Sequence, residues 1–201
     1  MSGSSFRYLR YISMTIMTSS SICTDAISIF LVSSAAAFHL AGILIPGWWN
    51  VPGTPTANLT TKYGVWSTLT CMEGECMEIE TDTSGKNAWL QVTQVFETAG
   101  VVLCFVALLI YISTTLLREK WSYILKRLFV CIIAGAGVAI IIGVAVFVKK
   151  SAGLTRFKGR GGHVEWPIGL SIFSAILCIS DSVFVGLSLR TPKIPGHNMF
   201  L

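Results

Sequence analysis

The sequence predicts an all-α membrane protein with four transmembrane helices and a small antiparallel β-sheet in its longest polar segment. Apolar residues make up 53% of the 201-residue chain and charged residues only 12%, whereas a soluble domain usually carries about 25% charge. The apolar residues are concentrated in four runs, each close to the roughly 20 residues that a helix needs to cross a bilayer. The polar segment between the first two runs is rich in Thr, Val, Ile and Trp, as strands are.

The four apolar runs define the membrane spans and the domain boundaries. We expect helices, because a helix satisfies its own backbone hydrogen bonds where lipid offers none. A very apolar soluble helical protein is the alternative, but charged residues bound the runs separately. The predicted spans are 26–45, 99–117, 128–148 and 168–189, which leave extracellular loops 46–98 and 149–167, a head of residues 1–25 and a tail of residues 190–201.

Cysteine usage and a glycosylation sequon indicate the orientation, because Lys and Arg are divided almost evenly between the two sides. Cys71 and Cys76 lie in the long polar loop, and a cysteine pair in such a loop is typical of an oxidising, extracellular side. Asn58 begins the sequon Asn58-Leu59-Thr60 in the same loop and is a candidate glycosylation site. With an even number of spans, both termini are then cytoplasmic and the protein belongs in the plasma membrane.

The head and the first span hold candidate contacts with lipid and with other helices. Arg7, Tyr8, Arg10 and Tyr11 would anchor a short interfacial helix in the headgroup region; a disordered tail is the alternative. The span should be retained, since no small-residue cleavage site follows it. His39 lies in its outer half, where a lone histidine is either a proton or metal site or, as we expect, a partner of a neighbouring helix.

The polar loop predicts a β-hairpin around its two cysteines. Residues 63–83 alternate as strands do, and four residues separate Cys71 from Cys76, which suits a hairpin turn. Directly opposed residues come close enough for a disulfide, and a metal–thiolate pair is the rival interpretation. If the cysteines face each other, Leu69 lies opposite Glu78. One face then carries Trp66, Met77 and Ile79, and the other Leu69, Glu78 and Glu80.

Opposite charges predominate on the two outer loops, which are acidic and basic respectively. Such surfaces can meet within one molecule or between copies, or remain solvated without a partner. If copies meet there, raised salt or charge reversal at Lys158 and Arg160 should weaken self-association. The acidic residues are Glu73, Glu75, Glu78, Glu80, Asp82 and Glu97, and the basic ones are Lys149, Lys150, Arg156, Lys158 and Arg160.

The third and fourth spans carry residues suited to helix packing. Gly135, Gly137 and Gly143 in the third span predict a close packing face. Asp181 in the fourth is costly in lipid, so we expect a hydrogen-bonded residue facing the bundle, with an ion or partner contact as the alternative. The C-terminal residues 198–201, with Met and Leu at the third-last and last positions, could add a strand to a PDZ groove.

The sequence offers no pattern for catalysis. Its three histidines are His39, His163 and His197, and it lacks a His-Glu-x-x-His motif, a glycine-rich phosphate loop and a Ser/His/Asp set in a polar region. We therefore expect no catalytic residues, no metal, no cofactor and no nucleic-acid partner. The spans also lack the broken, polar-lined helices of a transporter, which favours a protein that presents its long outer loop.

An ordered set of residues in and around that loop carries a family resemblance. Trp48 or Trp49 is followed by Gly64-Val65-Trp66 and then by Cys71 and Cys76; Leu90-Gln91-Val92 lies near the second span and Trp166 precedes the fourth. This set resembles the claudin superfamily, which includes the claudins, the peripheral myelin and epithelial membrane proteins and the gamma subunits of voltage-gated calcium channels. The resemblance covers roughly residues 25–189.

The chain departs from the claudin pattern at several positions. Val65 replaces the usual Leu, the cysteines stand closer together, and Gln94 stands where claudins carry an arginine. The chain does not end in Tyr-Val as claudins do. The resemblance implies a left-handed four-helix bundle under a small extracellular sheet, pinned by a disulfide between Cys71 and Cys76.

The resemblance also implies a function at cell–cell junctions. Copies would associate side by side in one membrane and head to head across cells, forming a paracellular barrier or an ion pore. Glu73, Glu75, Glu78 and Glu80 would favour cations if they line a pore, whereas the basic second loop argues the other way. The alternative is an auxiliary subunit that modulates a voltage-gated calcium channel or a glutamate receptor.

Overall fold

The computed structural model describes residues 3–52, 59–72, 74–81, 87–116, 119–157 and 161–190, with side chains described from residue 23 onwards except 119–120 and 154–157. These residues form four long helices and five short strands. The helices are α1 (Gly3–Leu44), α2 (Ala88–Leu116), α3 (Glu119–Phe157) and α4 (Trp166–Arg190). The strands are β1 (Trp49–Val51), β2 (Leu59–Tyr63), β3 (Ser67–Met72), β4 (Glu75–Glu80) and β5 (His163–Val164).

Each of these four helices is long and apolar enough to cross a membrane. The qualifying segments are Cys23–Leu44, Ala88–Leu116, Trp121–Gly153 and Trp166–Arg190. By the length and composition of its helices, the chain is therefore a multi-pass membrane protein, as the hydropathy of the sequence predicts.

The helices extend beyond the predicted spans. Helix α1 begins at Gly3 and continues without interruption into the first span, so the head is helical and is not a separate short helix. Helix α2 begins at Ala88, well before the predicted start at residue 99. Only residues 117 and 118 separate α2 from α3, so the second connection is much shorter than expected.

The early start of α2 corrects the assignment of Glu97 to the acidic outer loop. Thr93, Glu97, Gly100 and Cys104 recur at helical spacing and are all buried, whereas Val95 on the same helix is exposed. The segment 88–98 mixes polar and apolar residues, so the predicted span began after it. The helix nevertheless continues through it, because Thr93 and Glu97 face the bundle while Val95 faces outward.

The helices pack so that each has two main neighbours: α1 packs on α2 and α4, and α3 packs on α2 and α4. One buried cluster fills the half of the bundle remote from the sheet, around Tyr111, Phe129 and Ile133. A second cluster lies beneath the sheet around Ile140, Phe147 and Ile168, and includes residues of the loop itself. Small residues permit close approach between α1 and α4, where the Ser174 hydroxyl donates to the Ala35 carbonyl at 2.7 Å.

The five described strands form one sheet in the order β4-β3-β2-β1-β5, and each neighbouring pair is antiparallel. Strand β5 comes from the second loop, so the sheet joins the two loops. The register pairs Cys71 with Cys76 and Leu69 with Glu78, as predicted. Met72 pairs with Glu75, so the hairpin loop is two residues shorter than expected.

Not all three glycines of the predicted packing face of α3 contact a neighbouring helix. An added Cβ on Gly137 would lie 2.9 Å from Ile179 and 3.2 Å from the Ala175 carbonyl of α4, whereas at Gly135 nothing lies within 4 Å. Gly137 and Gly143 therefore permit close helix contacts. Gly135 is not part of the packing face.

Gly137→Ala should destabilise the protein, by about 1–3 kcal/mol, because the added methyl overpacks the contact between α3 and α4. Gly135→Ala is the matched control and should be neutral or slightly stabilising, because alanine favours the helix. Denaturant unfolding in mixed micelles, followed by circular dichroism, measures both. Equal effects of the two substitutions would contradict this packing.

Candidate functional site

The sheet is anchored to the bundle at the join between α1 and β1. Helix α1 ends at Leu44, and Pro46 has no N–H to offer the carbonyl of Gly42, four residues earlier. The indole N–H of Trp48 donates to that carbonyl at 2.7 Å. Gly47, with φ 104°, makes the turn that brings the indole back onto the helix. The sequence Pro-Gly-Trp thus ends the helix and also supplies the donor for the Gly42 carbonyl, which would otherwise lack a hydrogen bond.

Aromatic packing completes this anchor. Trp48 is fully buried, and its ring meets that of Phe147 of α3 edge to face, with centroids 5.1 Å apart. Trp89 of α2 contacts the same phenyl ring from another side at 5.8 Å. Edge-to-face pairs stabilise by about 0.5–1.5 kcal/mol beyond their burial. The start of the sheet is therefore held by α1, α2 and α3 together.

The Gly64-Val65-Trp66 segment makes a second attachment. Val65 is buried in the same cluster as Trp48 and Trp49, and its carbonyl accepts a 3.0 Å hydrogen bond from the Gln94 side chain of α2. Gly64 forms the tight turn before β3, where a Cβ would lie 2.7 Å from the Ser67 carbonyl. Trp48, Trp49 and Val65 of the sequence motif therefore meet at the base of the sheet, whereas the side chain of Trp66 is 42% exposed.

A polar contact holds the two loops together. Glu165, just after β5, accepts a 2.8 Å hydrogen bond from the Asn50 side chain. Its carboxylate also lies 3.6 Å from the Lys62 ammonium and 3.7 Å from Nε2 of His163. Lys62 belongs to the acidic loop and Glu165 to the basic one. A minority charge of each loop thus pairs with one of the other loop within the molecule.

Several majority charges of the two loops are exposed among the described residues. All six residues of β4 are exposed, including Glu75, Glu78 and Glu80. Met77 and Ile79 on the same strand are 67% and 53% exposed. In the part of the chain that the structure describes, β4 is the last strand of the sheet and has a strand neighbour on one side only. Lys149 and Lys150 are exposed near the outer end of α3.

The far hairpin of the sheet is crosslinked. The sulfur atoms of Cys71 and Cys76 are 2.05 Å apart, and their Cα atoms are 4.0 Å apart. This geometry agrees with the disulfide interpretation and not with a metal–thiolate pair. Among the described residues, no group of three or more His, Cys, Asp or Glu side chains is placed to bind a metal ion.

Four of the predicted site residues lie outside the described residues: Asn58, Glu73, Lys158 and Arg160. The same holds for the C-terminal residues proposed for PDZ recognition and for the side chains of residues 1–22. Predictions about these positions stay predictions.

Sequence reasoning missed the pairing of His39 with Glu97. Both side chains are fully buried, and Nε2 of His39 lies 2.9 Å from the backbone carbonyl oxygen of Glu97 and 3.5 Å from its carboxyl Oε2. His39 also lies 3.4 Å, through Nδ1, from the Ser171 hydroxyl of α4. The helical spacing of Thr93, Glu97 and Gly100 was the signal that could have found this pair.

Polar side chains near the other end of the bundle are also paired. Ser28 donates to both carboxylate oxygens of Asp181, at 2.8 and 3.0 Å. The expectation that Asp181 faces the bundle as a hydrogen-bonded residue is confirmed. Asp25 accepts hydrogen bonds from the Tyr111 hydroxyl at 2.8 Å and from the Lys126 ammonium at 2.6 Å. These contacts join α1 to each of the other helices.

No protein-family model matches this chain, and no curated protein matches it either. The claudin resemblance therefore depends on the motif residues and their placement, and it remains a proposal.

Trp48→Phe should lower the free energy of unfolding by about 2 kcal/mol, because it leaves the Gly42 carbonyl without its donor and opens a small cavity. Trp166→Phe is the control, since Trp166 is largely exposed and should tolerate the change. Denaturant unfolding in micelles measures both. If Trp48→Phe lowers the free energy of unfolding no more than Trp166→Phe does, Trp48 does not anchor the sheet.

Replacing Cys71 and Cys76 together by serine should destabilise β3 and β4 by about 2 kcal/mol, the chain-entropy value for so short a loop. Hydrogen exchange of the β4 amides should become faster while exchange in α3 is unchanged. Cys131→Ser, at an exposed free cysteine, is the control. Unchanged exchange in β4 would show that the crosslink is dispensable.

Proposed function

We propose that this chain is a claudin-like integral membrane protein of cell–cell junctions, which self-associates through its outer loops to form a paracellular barrier or an ion pore. The observation that carries the proposal is a disulfide-crosslinked sheet anchored on a four-helix bundle by the motif residues Trp48 and Val65. On this proposal the bundle is left-handed, the sheet is extracellular, and both termini lie in the cytoplasm.

The exposed composition of β4 supports an intermolecular role. Among the described residues, β4 has an unpaired edge and exposed Met77 and Ile79, which together form a surface suited to association. Proteins that do not associate through a sheet usually cover or charge such an edge. The charges make a second β4 strand an unfavourable partner. If two β4 strands paired antiparallel about their centre, Glu75 of one copy would lie opposite Glu80 of the other, and the like charges would repel. The basic surface around Lys149 and Lys150 of a neighbouring copy is the complementary one.

An adhesion assay tests the proposal. The tagged protein is expressed in cells that lack junctions, and expressing cells are mixed with non-expressing ones. We expect enrichment at contacts where both neighbours express the protein, and loss of this enrichment in a Cys71→Ser, Cys76→Ser variant. Surface biotinylation confirms delivery of each variant to the plasma membrane.

Charge substitutions separate the surface from the fold. Glu78→Lys with Glu80→Lys should reduce contact enrichment severalfold, and raised salt should reduce it in the unmodified protein. Glu165→Gln weakens a contact within the molecule and is the control for general loop damage. Even spreading of the delivered wild-type protein would contradict the junction proposal. Co-purification of a large channel polypeptide would then support the auxiliary-subunit alternative.

A further inference from the structure

Glu97 and His39 form a buried pair that the proposed function does not use. Glu97 is fully buried on α2, and within the described residues neither carboxyl oxygen has a hydrogen-bond partner. On α1, Nε2 of His39 lies 3.5 Å from Oε2 of Glu97. An unpaired carboxylate in such a place would cost several kcal/mol.

The neighbouring helices leave room for this pair. A Cβ on Gly143 of α3 would overlap the carboxyl group of Glu97. A Cβ on Gly100 of α2 would lie 2.9 Å from Nε2 of His39. Glycine at both positions therefore makes the space in which the two polar side chains meet.

The distances favour a neutral pair. The imidazole Nε2 lies 2.9 Å from the Glu97 backbone carbonyl, so its proton is donated there. Charge-assisted N–H···O bonds are about 2.7–2.9 Å long, and the 3.5 Å to Oε2 is clearly longer. The Ser171 hydroxyl near Nδ1 is able to donate to the neutral ring. Glu97 then carries the proton itself.

No other ionisable group is seen against the pair in the described residues. Helix α3 contributes Ile140 and Gly143 there, and α4 contributes the hydroxyl of Ser171. The other buried ionisable groups of α2 and α4 have different partners: Cys104 contacts Cys178, Tyr111 bonds Asp25, and Asp181 bonds Ser28.

We propose that Glu97 and His39 form an intramembrane proton site, and that the proton held there keeps α1, α2 and α3 packed beneath the outer sheet. The inference goes beyond junction formation and holds whether or not the chain mediates adhesion.

The position of the pair links it to both anchors of the sheet. Gly42, whose carbonyl holds Trp48, lies one turn from His39 on α1. Gln94, whose side chain holds the Val65 carbonyl, lies one turn from Glu97 on α2. Loss of the proton leaves a buried charge between these helices. Entry of water or separation of the helices lowers the free-energy cost of burying that charge. Either change weakens the contacts of Trp48 with Gly42 and of Gln94 with Val65.

Infrared spectroscopy tests the proton site. The full-length protein is reconstituted in phosphatidylcholine vesicles, and its spectrum is compared with that of Glu97→Gln, a near-isosteric variant. We expect a C=O stretching band of a protonated carboxylic acid that is lost in Glu97→Gln, retained in Glu165→Gln and shifted in His39→Leu. Carbon-13 labelling of glutamate shows in the unmodified protein that the band comes from a glutamate and not from the buried Asp181. Absence of a Glu97 band, or a band unmoved by His39→Leu, overturns the pair.

Hydrogen exchange tests the coupling to the sheet. At the alkaline pH where the band has declined, amides of β1 should exchange at least about tenfold faster in the wild type than in Glu97→Gln, which stays neutral; tenfold corresponds to 1.4 kcal/mol. Comparison at one pH removes the intrinsic pH dependence of exchange. Equal exchange rates in the two proteins would overturn the coupling between the proton site and the sheet. A Glu97 band that persists until the protein unfolds would overturn it as well. Neither the infrared nor the exchange experiment depends on adhesion. Both therefore test the proton site even if the junction proposal fails.

Discussion

The hydrogen bond from Trp48 to the Gly42 carbonyl is the contact on which the placement of the sheet depends. It arises because Pro46 cannot supply the N–H that would continue helix α1. The indole replaces that N–H, and its ring at the same time fills the space beside Phe147. One side chain therefore fixes where the helix ends, how the chain turns, and how β1 is held above α1 and α3. The remaining strands add to β1 by antiparallel pairing in either direction.

The polar interior of the bundle follows from a second constraint, which is that lipid offers no hydrogen bonds. Ser28 with Asp181, Asp25 with Tyr111 and Lys126, and His39 with Glu97 and Ser171 lie at different levels along the helices. Each set joins residues of different helices. Such contacts orient otherwise uniform apolar helices, because a rotated helix would leave its polar group facing lipid.

The division of charges between the interior and the surface bears on function. Lys62 and Glu165, each opposite in sign to most charges of its own loop, pair between the loops. The acidic strand β4 and the basic end of α3 are left exposed. Surfaces of opposite sign on one molecule favour head-to-tail contact over pairing of identical surfaces, because identical surfaces oppose like charges. On the junction proposal, this arrangement would favour an array of copies in one membrane.

The sequence by itself determined the four membrane helices, since continuous apolar runs have one stable outcome in lipid. It also determined the hairpin register, because the two cysteines permit few ways to pair the strands that flank them. Only the tertiary structure decided that Glu97 is a helix residue inside the bundle, that Gly135 faces outward while Gly137 packs, and that β5 of the second loop joins the sheet. These depend on which face of each helix meets a neighbour and on contacts between segments far apart in the chain. Local sequence does not decide either of these, because the partner of a helix face or of a strand edge comes from a segment far away in the chain.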